Sequence, residues 1–122
     1  MPPLAALALA FLVAGCTLSY EEVVGTWRSP DGAELRFMPD GELFLEGFQV
    51  DCLETSVMSE QAFWDVTSQS VQVLRVNPDG TAGDYIAELS FGEFGGPQLS
   101  NEPCESKEEL TQIFTKVNED ET

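Results

Sequence analysis

The chain has 122 residues, with 5 Lys and Arg against 22 Asp and Glu, no histidine, and a formal charge of −17. That length allows one domain of ordinary size, and that charge argues against nucleic-acid binding, which needs clustered Lys and Arg on the phosphates. Without histidine there is no Ser/His/Asp or Cys/His nucleophile system and no His-ligated metal site.

Residues 1–15 read MPPLAALALAFLVAG, twelve of them apolar and none charged. The run is shorter than the about 20 residues that a bilayer span requires. It fits the apolar region of a secretory signal, although no Lys or Arg precedes it. It ends in Leu12-Val13-Ala14-Gly15-Cys16, which resembles the bacterial lipobox. Small side chains there let the backbone enter a narrow peptidase cleft. The resemblance implies cleavage before Cys16, a diacylglycerol thioether on its sulfur and acylation, as with palmitate, of the new N-terminus. The plainer alternative is an apolar leader that happens to end near a cysteine. The expected organisation is a lipoprotein signal peptide at 1–15, a lipidated tether at 16–21, a folded domain at 22–118 and an acidic tail at 119–122.

The mature part, Cys16 to Thr122, carries all of the charge. Eleven aromatic residues between Tyr20 and Phe114 argue for a folded core rather than an acidic disordered chain. Three cysteines are an odd number for an exported protein. If Cys16 carries lipid, Cys52 and Cys104 remain as a pair, and an oxidising compartment makes a disulfide the default. The alternative is two free buried thiols. There is no CxxC redox motif, and two distant cysteines offer too few ligands for zinc. No cofactor or metal is expected.

Short apolar-alternating runs follow in chain order, punctuated by three Pro-Asp-Gly triplets at 30–32, 39–41 and 78–80. Proline presets one turn corner and glycine accepts the positive φ of the next. Strands are expected over Val23–Ser29, Glu34–Met38, Glu42–Val50 with Gly47 as a bulge, Ala62–Ser68, Val71–Val76, Tyr85–Phe91, Gln98–Ser100 and Thr111–Val117. Glu105–Leu110 can form one helical turn with Ser106 as its N-cap. The expected fold is all-β: a small antiparallel up-and-down β-barrel of about eight strands, with a β-sandwich as the alternative.

Gly25-Thr26-Trp27 on the first strand resembles the Gly-x-Trp signature of lipocalin-type barrels. The stretch from Gly25 to Gly32, then Leu35-Arg36-Phe37 and Asp40-Gly41, resembles small bacterial lipocalin-like lipoproteins, and Phe114-Thr115-Lys116-Val117 matches their last strand weakly. The resemblance implies that Gly25 lets the strand bend at the closed end of the barrel. It also implies that Trp27 plugs that end under a basic side chain, Lys116 or Arg36.

Phe63-Trp64 places adjacent aromatics on opposite faces of one strand, so one of them points outward and marks a candidate partner or ligand surface. Asn77 to Asp84 with Glu88 faintly echoes a calcium loop, but Ala82 stands where glycine is needed and a turn accounts for it better. Acidic residues are too abundant to single out a catalytic pair. The expected function is that of a non-enzymatic lipoprotein of the bacterial cell envelope, anchored to the membrane through Cys16 on its periplasmic or extracellular face. Its lipocalin-like module would bind a small apolar ligand or act through its surface, and the strand aromatics favour a filled interior. The alternative is an exported protease-inhibitor or immunity-type barrel that binds a protein partner.

Overall fold

The computed structural model describes residues 18–93 and 96–117. Among these residues a short helix, α1 (Tyr20–Val23), precedes ten strands: β1 (Gly25–Arg28), β2 (Glu34–Phe37), β3 (Glu42–Glu46), β4 (Phe48–Gln49), β5 (Val57–Met58), β6 (Gln61–Val66), β7 (Ser70–Val76), β8 (Ala82–Gly92), β9 (Gln98–Asn101) and β10 (Gln112–Lys116). A single 3₁₀ turn, Glu108–Leu110, lies before β10. Eight strands close into an antiparallel barrel in the order β1-β2-β3-β6-β7-β8-β9-β10, and β4 and β5 form a separate two-stranded hairpin. Neighbours in the barrel are neighbours in sequence, so the architecture is an up-and-down barrel. Trp27 opposite Lys116 closes the ring between β1 and β10, which removes the free edges of a sandwich.

The Pro-Asp-Gly triplets build three hairpins in one way. The glycine N–H donates to the carbonyl three residues back: Gly32 to Ser29, Gly41 to Met38 and Gly80 to Asn77. Each of these glycines has positive φ, between 88° and 96°. The next bond runs from the first residue of the turn to the fifth, as from Ser29 N–H to the Ala33 carbonyl. This is a type I turn followed by a left-handed residue, the usual three-residue hairpin loop. Each aspartate accepts the N–H two residues on, which fixes the corner. The Asn77–Thr81 segment is thus a turn.

Inward residues alternate along the strands. Trp27, Leu35, Phe37, Leu43, Val71, Val73, Leu89, Leu99 and Phe114 are fully or almost fully buried in one cluster. An eight-stranded barrel has room for its own side chains or for one small ligand, and here large side chains from facing strands meet in the middle.

Three local readings are corrected. The strand expected over Glu42–Val50 divides at Gly47, whose φ of +69° turns the chain out of the barrel. Phe48 and Gln49 are both buried, which a regular alternating strand does not allow. Val23 ends α1 instead of opening a strand, because Ser19 and Glu22 form a reciprocal capping box around the first helical turn. Leu18 and Tyr20, within the stretch 16–21 expected as a tether, and Val23 pack against the barrel core. Lys107, not Ser106, precedes the 3₁₀ turn and makes no side-chain cap; the Ser106 hydroxyl faces the Cys104 sulfur at 3.2 Å.

The pairing of Cys52 with Cys104 is present, with Cα atoms 4.9 Å apart and 52 residues of separation. Closing a loop of that size stabilises by about 4 kcal/mol in the chain-entropy account. Replacing both cysteines by serine should lower the urea-unfolding free energy by roughly that amount. A change of less than about 1 kcal/mol would mean that the reduced loop is already constrained by its other contacts.

Candidate functional site

Hairpins alternate between the two ends of an up-and-down barrel, so each end has its own set of loops. At one end lie α1, the β2–β3 turn and the β6–β7 turn. Leu18 is buried there, and its N–H donates to the Ser68 carbonyl at 2.7 Å. Trp27 is fully buried, and its indole Nε1 donates to the Val23 carbonyl at 2.8 Å. The Lys116 ammonium sits 5.9 Å from the Trp27 ring centre and donates to the Glu22 carbonyl at 2.9 Å. It thereby caps the helical turn and covers the tryptophan together. Of the two basic candidates, Lys116 is the partner. Arg36 instead reaches Glu34 at 3.4 Å, and Arg28 holds the same carboxylate at 2.8 Å. Gly25 has φ +132°, and a Cβ there would stand 3.0 Å from Lys116 Cε.

Phe63 and Trp64 separate as the strand geometry requires. Trp64 points inward at the α1 end, stacked on Tyr20 with ring centres 4.0 Å apart and edge-on to Phe37 at 5.1 Å. Its indole donates to the Met38 carbonyl at 3.0 Å. Trp64 is thus part of the closure, and Phe63 is the member on the outer wall. There it stands in register with Leu74, which in turn stands opposite Tyr85. Burial, then the charges of Asp65 and Asp40, raise the Tyr20 phenol above its ordinary value.

At the opposite end the chain from Gly47 to Glu60 folds over the mouth. Phe48 drops into the barrel, fully buried and stacked with Phe114 at 6.4 Å. Behind it lies a set of buried amides that composition alone did not reveal. Gln112 Oε1 accepts from Gln49 N–H at 2.9 Å and from Asn101 Nδ2 at 3.1 Å. Gln112 Nε2 donates to the Gly47 carbonyl at 2.9 Å and to Asp31 Oδ2 at 3.1 Å. Asn101 Nδ2 also donates to the Gln49 carbonyl at 2.8 Å. Three side chains thereby tie the β1–β2 turn, the covering loop, β9 and β10 together. Among the described residues no buried side-chain nitrogen or oxygen lacks a partner, which a buried polar cluster needs if it is not to destabilise.

The Cys52–Cys104 bond joins the same covering loop to the β9–β10 loop, and Lys107 Nζ adds a bond to the Cys52 carbonyl at 3.1 Å. Beyond the disulfide, Leu53 and Val57 are 61% and 50% exposed. An open cleft of about 440 Å³ runs beside the β4–β5 hairpin, lined in part by Val50, Asp51, Val57, Met58, Arg75 and Ile86. Another, of about 470 Å³, is walled by Glu102, Glu105, Glu108, Cys104 and Thr111. Both lie outside the packed barrel interior. Cys16 lies outside the described residues. Among the described residues no group of three or more Cys, Asp and Glu is placed to hold a metal ion.

Gly25→Ala should cost about 1–3 kcal/mol, since the backbone there is one that side chains rarely adopt and Lys116 must also give way. Lys116→Met, which keeps the aliphatic stem over Trp27, should cost about 1 kcal/mol. Urea unfolding measures both.

Asp31 supplies a pH-dependent contribution. Burial pushes its carboxyl up, but hydrogen bonds from Ser29, Gln112 and Ala33 outweigh this and leave it below the ordinary 3.8. A depressed carboxylate stabilises the fold above that ordinary value, and the contribution is lost as pH falls through it. The Asp31→Asn variant should therefore be less stable than the parent at pH 7, by no more than about 1 kcal/mol for so exposed a group. The gap should shrink below about pH 4. A gap that is constant from pH 7 to pH 2 would contradict this.

No protein-family model matches the chain, and neither the curated proteins nor the solved structures give a match.

Proposed function

We propose that this chain is a non-enzymatic lipoprotein of the bacterial envelope, held to the membrane by lipid on Cys16, whose barrel acts through its outer surface rather than as a carrier. One observation carries the reading. Leu12 to Cys16 has the lipobox pattern, and the other two cysteines are bonded to each other. Of the three cysteines, the one that the motif marks for acylation is the one left outside that pair. The packed interior supports surface action, because a carrier needs space that Trp27, Phe37, Phe48 and Phe114 occupy here.

Expression with the native leader in a bacterial host tests the anchor. The product should fractionate with membranes and leave them when Cys16 is replaced by serine. Globomycin, which blocks lipoprotein signal cleavage, should cause a longer precursor to accumulate. A soluble cytosolic product with an uncut leader would overturn the reading.

A second reading, an exported inhibitor or immunity-type barrel, is favoured by Leu53. It stands exposed next to Cys52 on a loop pinned by the disulfide, and a side chain presented on a rigid loop loses little entropy on entering a partner's pocket. A purified partner whose binding falls at least tenfold with Leu53→Asp, while the fold is unchanged, would favour this reading.

A further inference from the structure

We infer that the α1 end of the barrel faces the membrane and lies against its headgroup layer, leaving the disulfide-pinned loop on the side away from the bilayer. The inference rests on acylation of Cys16. The structure contributes where the chain meets the barrel. Leu18 is buried in the core cluster, and its N–H is bonded to the Ser68 carbonyl in the β6–β7 turn. Only Thr17 separates it from Cys16.

Successive Cα atoms across trans peptides are 3.8 Å apart, so the Cα of Cys16 lies within about 7.6 Å of that of Leu18 whatever the linking residues do. A glyceryl thioether must reside where headgroups meet acyl chains, and the polar layer on each side of a bilayer is only about 5–8 Å thick. A tether that short holds one end of the barrel at the surface and does not let the molecule turn over.

That end comprises α1 and the turns around Pro39 and Gln69. Its exposed charges are mainly acidic: Glu21, Glu22, Asp40 and Asp65. The Lys116 ammonium is already committed to the Glu22 carbonyl. Within a Debye length of about 10 Å at 0.1 M salt, this rim repels anionic headgroups. The partner surface it fits is therefore zwitterionic lipid. The β7–β8 turn at Pro78 and the loop bearing Leu53 stand at the other end, about 20 Å away for tilted strands of this length.

Single introduced cysteines test the orientation, since Cys16 is acylated and the other two are bonded. Gln69→Cys and Pro78→Cys would each be labelled with a donor dye in the mature acylated protein, reconstituted into phosphatidylcholine vesicles that carry an acceptor on the headgroup. Energy transfer from position 69 should exceed that from position 78 by at least about twofold, as expected for labels at opposite ends of the barrel. A flexible insert of twelve Gly and Ser residues after Thr17 should erase the difference. Equal transfer from both positions, or greater transfer from position 78, in protein that floats with the vesicles would overturn the orientation and leave the anchor standing. Mature protein that carries no acyl mass and fails to float would overturn the anchor itself.

Discussion

An eight-stranded barrel is wide enough for one stack of inward side chains and little more, and the rest of this structure follows from how that space is filled. Large side chains occupy the middle, and separate devices close the two ends. At one end Trp27 and Trp64 lie beneath a four-residue helix that Lys116 fastens down, with Trp64 stacked on the helix's own Tyr20. At the other, Phe48 enters the barrel from a loop that leaves the wall at Gly47. The interior is spent on its own packing, which supports the proposal that the molecule acts through its outer surface.

The two closures differ in physical kind, and the difference bears on function. The helical end is held by aromatic stacking and by one ammonium group that serves both the ring and the helix. The loop end is held by a covalent bond and by a hub of amides around Gln112, whose groups are all paired. A fully paired amide set holds one arrangement, since any other would leave a buried donor or acceptor without a partner. The loop bearing Leu53 and Val57 is consequently presented on a fixed base. A lipid on Cys16, close in sequence to the helical end, would leave that loop free to face whatever lies beyond the membrane surface.

Much of the fold was legible in the residues because the controlling signals are local. The Pro-Asp-Gly triplets specify hairpin corners through glycine φ and an aspartate side chain, and all three adopt one geometry. Alternation placed Leu35 and Phe37 on one face, and both are buried; it placed Phe63 and Trp64 on opposite faces without saying which points inward. What stayed hidden depends on contacts distant in sequence. Gln49, Asn101 and Gln112 are unremarkable one by one and become a site only when closure brings β10 beside the loop after β3. The departure of the chain from the barrel wall at Gly47 was masked by a run of apolar residues that reads equally well as one strand. The Ser19-x-x-Glu22 capping box that starts α1 was not read from the sequence, where Val23 and Val24 signal a strand. Phe63 and Trp64 resolved as strand geometry requires, but only the tertiary structure shows that Trp64 belongs to the end closure.

The packed interior is most directly tested by titrating an environment-sensitive fluorescent fatty acid against the disulfide-intact protein carrying Cys16→Ser. A barrel filled by its own side chains predicts no saturable signal up to the solubility limit of the probe. Saturable one-to-one binding, abolished by a bulkier residue at an inward position such as Ala62→Phe, would contradict the account and return the molecule to the carriers of apolar ligands.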